Sequence, residues 1–132
     1  MATIKKFEEI EAWQLARKLS KEIFTISIDS ALSREFKLRD QINAASGSVM
    51  DNIAEGFERG GKSELIQFLS IAKASNGEVK SQLYRIFDHN YINKEKFEEL
   101  YQLANEIGNK LGAWINYLND SEIKGLKFKN RV

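Results

Sequence analysis

Few side chains in this sequence could do chemistry. Among 132 residues there is one histidine, His89, and no cysteine. Disulfides, thiolate metal sites and cysteine nucleophiles are therefore excluded, and a catalytic triad would have a single candidate base. Ferritin-like di-iron centres need two Glu-x-x-His pairs plus two further glutamates. The residue three before His89 is Ile86, so that motif is absent. The 19 acidic residues could still supply a carboxylate pair, but nothing in their spacing marks one. One stretch, Gly56-Phe57-Glu58-Arg59-Gly60-Gly61-Lys62-Ser63, spells the phosphate-loop pattern G-x-x-x-x-G-K-[ST]. A working phosphate loop leaves a buried strand and enters a helix whose first amides hold the phosphates. Here the residues before Gly56 have helical periodicity and include Asp51, Asn52 and Glu55. A glycine helix stop followed by a serine cap accounts for the same letters. The sequence predicts a chain without catalytic residues, cofactor, metal or small-molecule substrate.

The elements that position these residues are helices. The first segment, about 8–28, repeats Ala12, Leu15, Ala16, Leu19, Ile23 and Ile26 at three- and four-residue steps. The second, about 38–58, carries Leu38, Ile42, Ala45, Val49, Ile53 and Phe57, and Gly60-Gly61 ends it. Ser63 is the expected cap of a third, about 64–88, with Leu65, Phe68, Leu69, Ala72, Val79, Leu83, Ile86 and Phe87 inward. After the His89-Asn90 break, Asn93 is positioned to cap a fourth helix, about 94–118, with Ile92 and Phe97 as a hydrophobic staple. Its inward face is Phe97, Leu100, Tyr101, Ala104, Ile107, Leu111, Trp114, Ile115 and Leu118. Segments of this length make helices about 31 to 38 Å long, and short connections force antiparallel neighbours. The absence of proline fits, since no helix interior need be broken. The expected fold is all-α, an antiparallel up-down-up-down four-helix bundle over residues 1–120, followed by a short basic C-terminal tail, 121–132.

Charge supports that division. Lys+Arg number 20 against 19 Asp+Glu, but the tail alone is +3, from Lys124, Lys127, Lys129 and Arg131 against Glu122, and the bundle is −2. Nucleic-acid binding usually shows as a dense basic face. Only Lys62 and these four tail cations are candidate RNA contacts, and they predict modest, salt-sensitive affinity. No apolar run approaches the 18 residues of a membrane span, and the start lacks the apolar core of a secretory signal. A soluble cytoplasmic chain with no membrane partner is expected.

Three surface patterns remain. Gln41, Ser48, Asn52, Glu55 and Arg59 line one ridge of the second helix, with Glu55 and Arg59 at i,i+4. They form either a solvated flank or a polar seam between helices or subunits. Ile10, Trp13 and Phe24 make a second apolar face on the first helix, expected to contact another subunit or to lie under Leu126 and Phe128 of the tail. Pivoting the helices about their turns sets residue 48 opposite 74 and residue 75 opposite 107. These levels are rich in small residues, from Ala44 to Ser48, from Ala72 to Gly77, and at Gly108 and Gly112. A glycine inside a helix costs about 1 kcal/mol relative to alanine, so the clustering predicts a narrow waist.

The stretch Leu38-Arg39-Asp40-Gln41-Ile42-Asn43, the string Ser48 to Gly56 containing Asn-Ile-Ala-Glu-Gly, then Arg59, Glu64, Phe68-Leu69, Ile71-Ala72, Ser75 and Glu78 resemble the 23S ribosomal RNA intervening-sequence protein family. Trp13-Gln14-x-Ala16 is similar to it as well, so the resemblance spans about residues 7–118. It implies a small cytoplasmic bundle assembled as a ring-like pentamer. Basic relatives that accompany retroelements bind RNA. The chain departs from the family at Ala44, a position usually basic, and at Ala74, usually glycine. The sequence therefore reads first as a non-enzymatic homo-oligomeric scaffold and second as an RNA-binding accessory protein.

Overall fold

The computed structural model describes the backbone of residues 3–130 and the side chains of residues 3–120. A 3₁₀ turn, Phe7–Glu9, leads into α1, Glu11–Asp29. A second 3₁₀ turn, Ala31–Arg34, leads into α2, Phe36–Glu58, followed by α3, Lys62–Asp88, and α4, Lys94–Asn130. The fold is all-α. Each helix packs on the next, and α1 closes against α4 through the least extensive of the four seams. Ser48 meets Ser75 while Gly56 lies against Phe68, and the Glu11 and Glu22 carboxylates meet Lys110 and Lys96, so both pairs of helices run antiparallel.

The expected inward faces form one core. Leu19, Ile23, Ile42, Ile53, Leu69, Leu83, Ile86, Leu100, Ile107 and Leu111 are fully buried, while Leu15, Phe57, Leu65, Phe97 and Trp114 pack around them half-buried. The turn between α3 and α4 follows the sequence closely. Asn90, at φ 63, sits in the left-handed region that asparagine tolerates. The amides of Asn90 and Tyr91 donate to the carbonyls of Phe87 and Ile86, satisfying the end of α3 by the Schellman pattern. Asn93 Oδ1 then accepts from the Lys96 amide at 2.8 Å, capping α4 as expected.

Four expectations need correction. Ser63 does not cap α3, because Gly60, at φ 78, completes the turn early and Gly61 takes the cap position without a side-chain bond. The helix predicted to stop at 118 continues in backbone to Asn130. Asn119 and Asp120 keep their amides, and without proline nothing forces a stop.

The third concerns Ile10 and Trp13, which are buried rather than displayed, at 4% and 9% exposure. Phe7 folds back in its 3₁₀ turn and meets the Trp13 ring edge-on at 5.0 Å. That turn also packs on α2, closing a surface that helical periodicity leaves open. Of the expected second face only Phe24 stays exposed; Leu126 and Phe128 lie outside the residues whose side chains are described.

The fourth is the waist, which keeps Gly108 and Gly112 as close approaches, loses Gly47 and Gly77, and is exceeded by Gly56, outside the expected level. Gly47 and Gly77 face open space. Gly56 is the tight position, where a Cβ would lie 2.7 Å from Phe68 Cβ, and Gly108 leaves room for Asn76 at 3.2 Å.

Candidate functional site

The polar ridge of α2 becomes a seam between α2 and α3. Asn52 Nδ2 donates to the Ser48 carbonyl at 2.8 Å and to Ser48 Oγ at 2.9 Å. Ser48 Oγ in turn pairs with Ser75 Oγ across the helices at 2.9 Å. Further along α2, Arg59 Nη2 bonds Glu55 at 3.0 Å, and its Nη1 reaches Glu64 in the first turn of α3 at 3.7 Å. The guanidinium also lies 5.0 Å from the Phe68 ring centroid. These ion pairs are half exposed, so each adds little energy, but Arg59 ties the end of α2 to the start of α3 through two contacts, Glu64 and Phe68. Gln41 is exposed and bonds to no other described side chain. Of the ridge, Ser48 and Arg59 contact α3 within the chain.

Two buried amides lie outside this ridge, and the sequence did not mark them. Asn76, 2% exposed, donates to the Ala104 carbonyl at 2.8 Å and pins α3 to α4. Gln82 donates to Glu78 Oε1 at 3.1 Å. The Oδ1 of Asn76 and the Oε1 of Gln82 have no protein partner. The spacing from Ser75 offered one signal, since Asn76, Val79 and Gln82 continue one face at steps of three. An aromatic group also escaped notice: Phe97 and Tyr101 stack at 5.5 Å, Tyr84 and Phe87 pack beside them, and Lys80 lies 5.0 Å over Tyr101.

The α1–α4 seam is charged. Glu22 sits close to Glu99, with Lys96 Nζ 4.0 Å away, and Glu22 Oε2 is buried without a partner. Burial first, and then the Glu99 charge, push the Glu22 carboxyl above the usual range, while Lys96 and Lys18 oppose that rise. A raised carboxyl pKa means that the contribution of this group to stability is lost as pH rises through its folded value. Glu22→Gln is thus expected to raise the melting temperature at pH 7, with the gain shrinking as pH falls toward 4. Thermal denaturation at both pH values checks this.

An apolar patch surrounds a groove between α1 and α2. Phe24 and Ile28, one turn apart on α1, are each 58% exposed, and Phe36 at the start of α2 is 64% exposed. The groove, about 600 Å³, has Phe24 and Ile28 on its rim and Ser27, Ser33, Arg39, Asp40 and Asn43 as its polar lining. Its lining is cross-bonded: Asn43 Nδ2 donates to Ser27 Oγ at 2.8 Å, and Ser27 Oγ donates to the Ile23 carbonyl at 2.7 Å. Arg39 spans the patch, donating to the Ser33 carbonyl at 3.1 Å and lying 4.9 Å over the Phe36 ring.

Among the described residues no three His, Asp or Glu side chains gather as a cation site would require. Nor is any described helix long and apolar enough to cross a membrane. Residues 48–58, which precede the turn of the phosphate-loop-like string, are helical. That string therefore joins two helices.

The model of the 23S rRNA-intervening sequence protein family matches residues 8–113, most of the chain and all of α1 to α3. The chain belongs to that family. A crystal structure from the S23 ribosomal protein family, a protein of unknown function from Bacteroides thetaiotaomicron, superposes with a TM-score of 0.74. It is 22% identical, and the match covers 80% of this chain and 95% of the other. At that identity the likeness extends to the fold. No curated protein matches the chain. The family description names no activity, and the function of the structural neighbour is unknown. The intervening-sequence family thus accounts for the bundle, and the role of its surfaces rests on their own chemistry.

Proposed function

We propose that this intervening-sequence protein is a non-enzymatic, self-associating helical scaffold whose contact face is the patch of Phe24, Ile28 and Phe36 around the Arg39 groove. The supporting observation is the exposure of three large apolar side chains beside a groove rimmed by Phe24 and Ile28. Apolar residues grouped this way mark interaction surfaces more often than scattered ones do. With Ile10 and Trp13 absorbed into the core, the contact face shifts toward the α1–α2 corner.

Light scattering at micromolar concentration tests the reading. The expected mass for a ring-like pentamer is five times the 15.2 kDa chain. The double variant Phe24→Asp, Ile28→Asp should be monomeric with unchanged helicity, since truncating central contacts costs association roughly tenfold or more per residue. Surface changes of this kind usually move folding stability by about 0.5 kcal/mol or less. A monomeric wild type would overturn the proposal.

A second reading, an RNA-binding accessory protein, draws on one further placement. Lys62 lines a groove with Gly60, Gly61, Tyr117 and Leu118. The chain beyond Leu118 carries Lys124, Lys127, Lys129 and Arg131, whose side chains lie outside the described residues. Repeating such cations around an oligomer would raise a weak affinity by avidity. Filter binding to structured RNA decides it: retention at low salt with a steep salt dependence supports this reading, and no retention at low salt rejects it.

A further inference from the structure

The α1–α2 corner and the α3–α4 turn meet at one end of the bundle through three polar side chains. Glu35 ends the corner, one residue before Phe36, and its Oε2 lies 3.2 Å from Nδ1 of His89, the C-cap of α3. The Tyr91 hydroxyl is beside the same carboxylate, and the Tyr91 ring packs edge-on against His89 at 5.7 Å. Arg34 on the corner and Arg85 on the last turn of α3 complete the charged surroundings. The backbone on either side of Glu35 is firmly placed. The Glu35 amide donates to the Leu32 carbonyl at 3.0 Å, its carbonyl accepts from Arg39 at 3.0 Å, and Leu32 is fully buried.

We propose that Glu35, His89 and Tyr91 form an acid-labile clasp that holds the α1–α2 corner on the α3–α4 turn and so sets the position of Phe36 and Arg39. The ionised carboxylate is the stronger acceptor and carries the charge that faces His89, so protonation by acid weakens the hold on the corner. His89, the one histidine of the chain, keeps a donor on Nδ1 in the imidazolium form and in one of its two neutral tautomers. The Tyr91 hydroxyl and then His89 hold the Glu35 carboxyl below the usual carboxylate range. A lowered carboxyl pKa contributes stability that is present above the unfolded value and lost as pH falls through the folded one. Glu35 in turn pushes the Tyr91 hydroxyl upward, which preserves that donor into alkaline solution. The clasp stands on the local geometry; its consequence for assembly rests on the reading of the Phe24, Ile28 and Phe36 patch as a contact face.

Hydrogen exchange reads the clasp directly. Amides of residues 33–39 are compared with core amides of Ile42 and Leu83 at pH 7.5 and pH 3.5, after correction for intrinsic rates. In the wild type, corner protection relative to the core should fall about two- to fivefold on acidification, the scale of a partly exposed ionic contact. Glu35→Gln should show that loss already at pH 7.5 and change no further with acid, and Tyr91→Phe should show part of it. Corner protection that tracks the core at both pH values, or a Glu35→Gln protein that matches wild type at pH 7.5, overturns the clasp. Light scattering on the same samples separates the two ideas. A chain monomeric at both pH values refutes the contact face and leaves the exchange result standing, while an oligomer with a pH-insensitive corner refutes the clasp alone.

Discussion

Gly56→Leu is expected to cost more than about 3 kcal/mol, most of the stability of an ordinary small domain at the weak end of its range. The cause is local. A Cβ at this position would stand 2.7 Å from Phe68 Cβ and 3.4 Å from Leu65 Cδ1. The obstructing atom is the root of a side chain, fixed by the α3 backbone, so it cannot swing aside. The two helices must separate where Arg59 ties α2 to α3. Even Gly56→Ala should be destabilising, because overpacking of about 1 to 3 kcal/mol outweighs or cancels the gain in helix propensity of about 1 kcal/mol. Gly47→Ala serves as the control. Nothing lies within 4 Å of its new methyl group, so the propensity gain should appear as a rise of about 1 kcal/mol. Urea unfolding of the four proteins tests the contrast, and equal stabilities at the two glycine sites would refute it.

Trp13→Ala should cost about 3 to 5 kcal/mol of folding stability, the range for removing a large buried aromatic. Trp13 is 9% exposed, faces the edge of Phe7 and has the Arg17 guanidinium 5.9 Å from its ring centroid. The substitution strips Phe7 of its partner and loosens the 3₁₀ turn. Denaturant midpoints measured at two protein concentrations separate a core role from a contact role. A core residue lowers the midpoint equally at both concentrations, and this is the expected result. A loss confined to association, with the monomer as stable as before, would restore Trp13 to the contact face.

These two residues show what sequence periodicity can and cannot see. A three-to-four repeat reports which side of a helix is apolar, and it located the inward faces from Ala12 to Leu118 with little error. It assumes a continuous helix, so the first segment was placed from about residue 8, when Phe7–Glu9 is a 3₁₀ turn folded over Trp13 and α1 starts at Glu11. The glycines illustrate a second limit. Folding the chain about Gly61 placed Ser48 opposite residue 74, one step from its true partner Ser75. Register along the axis follows from the length of the turn. The direction in which each glycine faces depends on the packing angles of the helices, and so Gly56 carries the close approach expected of Gly47. Asn93 was legible because a cap is a local event: its side chain bonds an amide three residues away. The Glu35–His89 contact joins residues 54 apart through two turns, and no local pattern announces it.

The α2 ridge lay between these cases. Its composition was visible, but whether it faced water, a helix or another subunit was not. Ser48 meets Ser75 of α3, Asn52 bonds back to Ser48, and Gln41 faces solvent.

An even number of antiparallel helices returns the chain to the end from which it started. Glu11 pairs with Lys110, and Leu118 shares a groove with Gly60, so chain preceding α1 and chain following Leu118 depart from the end that carries the α2–α3 turn. The Glu35–His89 contact, and the corner that bears Phe36, occupy the opposite end. The molecule is thus polar as an object for attachment. A fluorophore or fused domain attached ahead of α1 or beyond Leu118 is carried away from the corner, and a break at Gly60–Gly61 falls at the end opposite it.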